Sequence, residues 1–229
     1  MHDPGIICKR NVTNDYGRVS VTMLTIGPMN NLTYIVSDGH HESAPCVLID
    51  PAGDPDAIID AIGWYSCQAI VLTHGHADHV LALPEVAEET GAPVIIHGSE
   101  ADIIERGQEQ LFNPRNHIDP VKVARRVQDG DVISVGSMDF KVIHTPGHTR
   151  GGICLYLELS KDGRGLLFSG DTLFCGATGR TDLEGGSDKQ MRQSMRTKLA
   201  PLPDITVVYP GHESTTTIGA ERRRTIMAF

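Results

Sequence analysis

Short runs of apolar residues, each bounded by Gly, Pro, Asn or Asp, recur along the first hundred residues and predict β-strands that end in turns. Between them, residues 54–64 predict a helix that has Asp54 as its N-cap and Pro55 in its first turn. Residues 78–90 repeat apolar positions at helical spacing and predict a second helix, which ends at Gly91. The predicted strands are 19–26, 32–37, 46–49, 69–72 and 94–96.

The second half of the chain repeats this order of strands followed by helices. Its predicted elements are a short helix from Ser99 to residue 106, a hairpin of strands 132–135 and 140–144, strands 153–159, 166–168 and 206–208, and helices 188–199 and 216–224. The pattern suits an α/β sandwich of two mixed sheets with helices on the outside. Residues 1–18 are polar and aperiodic, so we predict an N-terminal extension followed by a single domain over 19–229.

The composition is that of an ordinary globular protein and argues against several classes of function. Of the 229 residues, 40% are hydrophobic and 21% are charged, which is enough for a sizeable core. The formal net charge of -9 argues against nucleic acid as a partner, because phosphate binding requires a basic surface. No apolar run approaches the roughly 18 residues of a membrane span, so no membrane association is expected.

The five cysteines are odd in number, and none of them forms a C-x-x-C pair. This spacing indicates neither a disulfide framework nor a zinc knuckle. The first thirty residues contain no apolar segment long enough for a secretory signal. We therefore expect a reducing, cytoplasmic setting.

A dense group of potential metal ligands follows the predicted strand 69–72. His74 and His76 are two residues apart, a spacing that lets both side chains reach one point on a loop but not on a helix. Asp78 and His79 begin the predicted second helix, are adjacent and diverge, so they suit a second ion beside the first. The segment therefore predicts a metal site at the end of a strand.

Three later segments have the same local order of a strand, a glycine and then a polar residue. The polar residues are His148, Asp171 and His212, and the preceding glycine lets the backbone turn sharply. Imidazole and carboxylate groups are ligands that zinc, iron and manganese accept. Of the other histidines, we predict that His2, His40, His41 and His117 are solvated, and that His97 and His144 support the site or fill the packing.

The H-x-H-x-D-H segment with its later His, Asp and His resembles the metallo-β-lactamase superfamily, over about residues 20–220. The resemblance implies the αβ/βα sandwich fold of that superfamily. It implies that the first ion is held by His74, His76 and His148, the second by Asp78, His79 and His212, and that Asp171 bridges them. It also implies that Asp50 is the buried aspartate that orients a ligand.

Two features of the sequence indicate which branch of the superfamily this chain resembles. Asp171 stands where β-lactamases of this fold typically carry a cysteine, which favours other hydrolases. Residues 179–182, Gly-Arg-Thr-Asp, resemble a motif shared by short glyoxalase II-like hydrolases and persulfide dioxygenases. Within this motif, an Arg180–Asp182 pair would hold the fold or contact substrate.

Arg150 is a candidate for an anionic substrate end or a solvated loop charge, and Cys175 is predicted to be a small buried residue rather than a reactive thiol.

By this resemblance, the expected function is hydrolysis of a small acyl-thioester of the S-lactoylglutathione type by a metal-bound hydroxide. Asp78 and Asp171 are the expected catalytic carboxylates. The expected cofactor is two divalent ions, with zinc preferred and iron or manganese as alternatives. Since the sequence stops at Phe229, soon after His212, it lacks the helical segment with which classical glyoxalase II enzymes bind glutathione, and we expect a high KM.

Three other functions compete with thioester hydrolysis. The first is a mononuclear iron persulfide dioxygenase, in which the resemblance implies iron ligation by His74, His148 and Asp171 alone. The second is a structural metal clip, although structural zinc sites usually employ cysteine. The third is phosphodiester cleavage on the same fold, which the acidic composition disfavours.

Overall fold

The computed structural model describes residues 10–27, 29–109, 117–160 and 162–228, which divide into two compact units. The first unit comprises the described residues up to 96, those within 100–126, and 135–138; the second comprises 97–99, 127–134 and those from 139 onward. Two mixed sheets with helices confirm the predicted α/β class. No helix in the described part of the chain combines the length and hydropathy needed to cross a membrane. The single domain over 19–229 stays a prediction.

The first unit is built on a seven-stranded mixed sheet. Its strands are β1 (Arg10–Tyr16), β2 (Val19–Ile26), β3 (Asn31–Asp38), β4 (Pro45–Ile49), β5 (Ser66–Val71), β6 (Val94–His97) and β9 (Val123–Val127), in that order across the sheet. A separate pair is formed by β7 (Gln108–Glu109) and β8 (His117–Ile118). The strands are antiparallel from β1 to β4 and parallel from β4 to β6.

Three α-helices accompany this sheet, namely α1 (Pro55–Ile62), α2 (Leu83–Thr90) and α3 (Ala101–Arg106). The parallel strands are apolar where they are buried, as expected for strands covered on both faces. Leu48 of β4 and Ile70 of β5 share one hydrophobic cluster with Ile58 of α1 and Val86 of α2. This cluster fixes the ends of β4 and β5, from which the first group of candidate ligands follows.

The second unit is built on a six-stranded mixed sheet. Its strands, in order, are β10 (Val132–Val135), β11 (Met138–His144), β12 (Ile153–Glu158), β13 (Gly165–Gly170), β14 (Val207–Pro210) and β15 (Thr216–Thr217), and its helices are α4 (Asp188–Ser194) and α5 (Ile218–Glu221). Strands β13 and β14 are parallel, with Leu167 paired to Val208. Their carboxyl ends therefore lie side by side at one edge of the sheet, where Asp171 and His212 follow.

The predicted extension over 1–18 is wrong for the residues that form β1. These residues pair with β2 along their whole length, from Arg10 opposite Thr25 to Tyr16 opposite Val19. From residue 11 to residue 16 their side chains alternate between exposed and half-buried, as on an edge strand, so the sequence shows little hydrophobic contrast. Residues 1–9 lie outside the described residues.

The helices differ from their predicted limits where backbone geometry changes. Residues 78–90 are not one helix, because a 3₁₀ turn over Ala77–His79 precedes α2, which has Pro84 in its first turn. Proline lacks the N–H that a continuous helix would need at this position. The predicted helix 188–199 is present as α4 followed by a π-helical turn, whereas the predicted helix 216–224 begins with the short strand β15.

Candidate metal centre

The H-x-H-x-D-H segment leaves the carboxyl end of β5 and ends in the 3₁₀ turn of the first unit. His74 Nε2 lies 3.1 Å from His76 Nδ1, and the His74 and His79 rings are 4.3 Å apart. His74, Asp78 and His79 are buried, and His76 is half-buried. The structure thus brings together imidazole nitrogens that the spacing predicted to converge.

Asp50, which directly follows β4, anchors this segment. Its Oδ1 accepts a hydrogen bond from the Thr73 backbone N–H at 2.7 Å, and its Oδ2 accepts from Thr73 Oγ1 at 2.6 Å. The same Oδ2 lies 3.0 Å from His79 Nδ1. Because an ionised carboxylate only accepts, the proton of His79 resides on Nδ1 and the lone pair of Nε2 remains able to bind a metal.

The tautomer of His74 follows from the same network. The Thr73 hydroxyl donates to Asp50, so it accepts from His74 Nδ1, which lies 3.0 Å away. The lone pair of His74 is therefore on Nε2, the atom that faces His76. Two imidazole nitrogens at 3.1 Å require a proton or a cation between them, and this arrangement suits a metal ion.

Asp78 is oriented by a side chain that the sequence analysis did not single out. Asn31 Nδ2, at the start of β3, donates to Asp78 Oδ2 at 2.8 Å, and both residues are buried. The same Oδ2 lies 3.7 Å from His79 Nε2. Asn31 therefore holds the carboxylate beside the imidazole nitrogen that can bind a metal.

The peptide of Gly75, between the two histidines, is held from both sides. Glu100 Oε2 accepts from the Gly75 N–H at 2.7 Å, and Gln108 Nε2 donates to the Gly75 carbonyl at 2.9 Å. Glu100 is 3% exposed, although it is an acidic residue at a helix start. These contacts fix the backbone from which His74 and His76 project.

Replacing Glu100 by Ala should loosen this loop, because the buried Gly75 N–H then loses its acceptor at a cost of about 1–3 kcal/mol. We expect the melting temperature to fall by several degrees and the affinity for metal to fall with it. Glu100→Gln is the matched control, since its amide oxygen can still accept the hydrogen bond. Equal losses of metal affinity in the two variants would show that the hydrogen bond to Gly75 does not matter.

The second unit brings together the other three candidate ligands. His148 follows β11, Asp171 follows β13 and His212 follows β14. Asp171 Oδ2 lies 3.4 Å from His148 Nε2 and 3.5 Å from His212 Nε2. The Gly211 N–H donates to the Gly170 carbonyl at 2.8 Å, which ties the ends of the two strands together. One carboxylate oxygen therefore stands beside both imidazoles.

The Gly-Arg-Thr-Asp motif supports His148 through its backbone. His148 Nδ1 donates to the Arg180 carbonyl at 2.7 Å, which leaves its lone pair on Nε2, towards Asp171. Gly179 lies so close that a Cβ atom there would be 2.0 Å from the Asp171 carbonyl oxygen and 3.0 Å from His148 Nδ1. Only glycine fits at this position with the loop in its present place.

The predicted Arg180–Asp182 pair forms, but it does not explain the motif as a fold-holding contact. The guanidinium donates to both carboxylate oxygens, at 2.9 and 3.0 Å, and the hydrogen bonds from Arg180 hold the pKa of Asp182 below its usual range. Both side chains are 69% exposed. Exposed pairs contribute little to stability, because water screens them.

We therefore expect Asp182→Ala to leave the melting temperature within about 2 °C of the wild-type value. Metal content should also stay unchanged, because the backbone of Arg180 holds His148 without the side-chain pair. Thermal unfolding and elemental analysis of the variant check both expectations. A large loss of stability would instead favour the fold-holding role, one of the two roles that the sequence left open.

The remaining residues that the sequence analysis singled out are not among the candidate ligands. Arg150 is exposed, and its carbonyl accepts from His144 Nε2 at 2.9 Å. Cys175 is half-buried rather than buried, and its sulfur lies 3.3 Å from Arg224 Nη2.

The His97 and His144 rings stack at 4.2 Å, in keeping with a packing role. His40, His41 and His117 are exposed as predicted, and His2 lies outside the described residues.

The candidate metal-ligand atoms in each unit suit a divalent cation. His74, His79 and His148 each have the proton on Nδ1 and the lone pair on Nε2, the arrangement that metal-binding histidines acquire from a second hydrogen bond. Asp78 and Asp171 add buried or nearly buried carboxylates beside these nitrogens. Such a concentration of lone pairs and negative charge is stable only with protons or metal ions present.

The family model of the metallo-beta-lactamase superfamily matches residues 26–212, so the chain belongs to this superfamily of metal-dependent hydrolases. The resemblance noted from the sequence is thereby confirmed.

Relatives within the superfamily carry different names. The hydroxyacylglutathione hydrolase GloC of Haemophilus influenzae is 35% identical over 182 residues, which cover 77% of this chain and 84% of GloC. The crystal structure of the B3 metallo-beta-lactamase BLEG-1 is similar with a TM-score of 0.80 and 31% identity, covering 91% of this chain and all of BLEG-1. The di-iron-bound form of TTHA1623 gives a TM-score of 0.70 and 31% identity, covering 88% and 97%.

Proposed function

We propose that this protein hydrolyses small acyl-thioesters. The observation that carries the proposal is that His79 and His148 keep their Nε2 lone pairs beside Asp78 and Asp171. Asp171 Oδ2 also lies 3.5 Å from His212 Nε2. Such a donor set suits hydrolytic metal ions. The likeness to GloC, whose name states hydroxyacylglutathione hydrolysis, supports the choice of a thioester.

In this proposal, seven side chains bind two divalent ions. The ligands are His74, His76, Asp78, His79, His148, Asp171 and His212. Zinc is the preferred ion, because neutral imidazole and carboxylate are among its common ligands; the same groups also accept iron or manganese. The bound ions would lower the pKa of water to about 7 and polarise the substrate carbonyl.

The residues of the chain serve this chemistry by orientation. Asp50 and the Arg180 carbonyl fix the tautomers of His79 and His148, so that neither ring has to turn or lose a proton before it binds an ion. Asn31 fixes the orientation of the Asp78 carboxylate by donating a hydrogen bond to its Oδ2. A thiolate leaves a thioester without a proton, so the proposal requires no general acid among these residues.

The persulfide dioxygenase is the second candidate, because the Gly-Arg-Thr-Asp motif occurs in both classes. In that function iron would be bound by His74, His148 and Asp171 alone. The same backbone contact of Arg180 with His148 would support either function, so the geometry of the motif does not separate them. The number of bound ions and the consumption of oxygen do separate them.

The test is a panel of substrates assayed on one preparation of the protein. Release of thiol from S-lactoylglutathione and from other acyl-thiols is followed beside oxygen uptake with glutathione persulfide and hydrolysis of a β-lactam. We expect thioester cleavage that is lost on chelation and restored by zinc. Oxygen uptake without thioester cleavage would establish the dioxygenase, and β-lactam cleavage alone would place the protein with BLEG-1 in activity.

A variant of Asn31 tests whether the thioester cleavage depends on the orientation of Asp78. Asn31→Asp, which is nearly isosteric, places a second carboxylate 2.8 Å from Asp78 and removes the donor that orients it. Thioester cleavage should fall by at least about tenfold, since a misoriented ligand typically costs this much in metal affinity or activity. Unchanged cleavage by this variant would mean that the activity does not depend on the hydrogen bond from Asn31 to Asp78.

A further inference from the structure

Two cysteines of the first unit lie opposite each other on neighbouring parallel strands. Cys46 of β4 and Cys67 of β5 are partners in the register of the sheet. Partners in such a ladder lie about 4.8 Å apart and project from the same face. This separation falls within the Cα–Cα range of disulfide-bonded cysteines, about 4.4–6.8 Å.

A β-bulge at the same position distinguishes this pair from two ordinary strand cysteines. The next partners after Cys46–Cys67 are Val47 and Ala69, so Gln68 is an extra residue in β5. Beside this bulge, the Cys67 thiol donates a hydrogen bond to the Ala69 carbonyl, with 3.6 Å between the sulfur and the oxygen. The two cysteines are thus register partners at the irregular step of this strand pair.

The two thiols differ in access and in acidity. Cys46 is fully buried, whereas Cys67 is half-buried near the exposed start of β5. A hydrogen bond from the Cys46 thiol lowers the pKa of Cys67, against an opposing effect of burial, and the amides of Ala69 and Leu48 lower it further. The same hydrogen bond, together with burial, raises the pKa of Cys46. Cys67 is therefore the thiol that reacts first, and Cys46 is the resolving thiol that then attacks the Cys67 sulfur.

We propose that Cys46 and Cys67 are a modification site, at which a peroxide converts the two thiols to a reversible disulfide. The Cys67 thiolate attacks one oxygen of the peroxide, so that an S–O bond forms and the O–O bond breaks. For hydrogen peroxide, the departing hydroxide takes up the proton released by Cys67 and becomes water. The result is a sulfenic acid on Cys67.

Cys46 completes the reaction. Its sulfur attacks the Cys67 sulfur, the S–O bond breaks, and the second hydroxide leaves as water with the proton of Cys46. Two thiols and one peroxide thus give one disulfide and two waters, and the two thiols supply the two electrons that reduce the peroxide. The new bond joins β4 and β5 upstream of Asp50 and Thr73, and added thiol reverses it.

The test is a peptide map of the full-length protein under non-reducing conditions, before and after treatment with hydrogen peroxide. We expect the mass to fall by two hydrogen atoms, and the peptides that contain Cys46 and Cys67 to appear as one linked species. Dithiothreitol should separate them, and the linked protein should melt at a higher temperature than the reduced form. The thioester assay runs in parallel, so that loss of the proposed activity is scored separately from the linkage.

Variants of single cysteines identify the partners. Cys46→Ser should leave Cys67 without its second thiol, so that it adds oxygen or reacts with a sulfenic acid reagent instead of forming the link. Cys175→Ser is the matched control, a half-buried cysteine in the second unit, and should leave the yield of the link unchanged. If Cys46→Ser does not fold, the map of the wild-type protein decides alone. Over-oxidation of Cys67 without the link, or a link to another cysteine, would overturn the proposal.

Discussion

Asp171→Asn should remove most of the bound metal and nearly all activity while leaving the fold intact. Asn keeps the shape of the side chain but removes the negative charge that Oδ2 places 3.4 and 3.5 Å from the Nε2 atoms of His148 and His212. If this oxygen bridges two ions, both sites weaken together. Metal catalysis supplies several kcal/mol of transition-state stabilisation, so the rate should fall about a thousandfold or more.

Asp182→Asn is the matched control for this substitution. It makes the same chemical change in the same unit, at a carboxylate that is 69% exposed and contacts Arg180. Elemental analysis, circular dichroism and thiol release are measured on both variants. Asp171→Asn with a full complement of two ions would show that its carboxylate is not a bridging ligand.

Gly179→Ala should impair the protein nearly as strongly, although it changes no ligand. The added Cβ would lie 2.0 Å from the Asp171 carbonyl oxygen and 3.0 Å from His148 Nδ1. Backbone atoms cannot yield as the end of a flexible side chain can, so the loop must move away from both residues. A displacement of about 1 Å at a reacting centre can cost a hundredfold in rate, and overpacking costs about 1–3 kcal/mol in stability.

Gly152→Ala controls for the effect of a methyl group on a buried glycine of the same unit. The closest atoms to its added Cβ are the Thr145 carbonyl oxygen and Thr149 Oγ1, both at 3.4 Å, which is nearly ordinary contact. We expect near wild-type activity for Gly152→Ala and a loss of at least about a hundredfold for Gly179→Ala. Equal activity in the two variants would show that the motif loop does not position the ligands.

The sequence was sufficient to predict which strands precede the candidate ligands, because strand patterns and residue spacing are local properties. His74 and His76 follow an apolar strand, and Asp171 and His212 follow apolar strands with a preceding glycine. A spacing of two on a loop, or a glycine before a ligand, restricts the backbone within a few residues. The fold class followed from the same alternation of strands and helices.

The supporting contacts of Asn31 and Glu100 could not be predicted, because they join residues that are distant in the sequence, and the role of Asp50 was expected only from the resemblance. Asn31 reaches Asp78 across 47 positions and Glu100 reaches Gly75 across 25. Nothing in the local pattern of either residue indicates its partner. A polar Asn at the start of a buried strand was the one available signal, and polar residues are also common at strand ends for turns alone.

The proximity of Cys46 and Cys67 is a related case. Their contact depends on the register of β4 against β5 and on the extra residue Gln68, both of which are set by tertiary packing. Counting cysteines and their spacing argued against a disulfide framework, which stays a prediction. Only the register shows that two of them can join without a change of fold.

The most direct test of the central claim is the number of metal ions bound by the seven proposed ligands. Protein purified anaerobically and supplied with excess metal, then freed of loosely bound ions, is measured by elemental analysis. Two ions per chain are expected for the wild type, and His212→Ala should retain only one of them firmly. A single ion per chain, with the same content in His212→Ala, would contradict a two-metal hydrolytic centre.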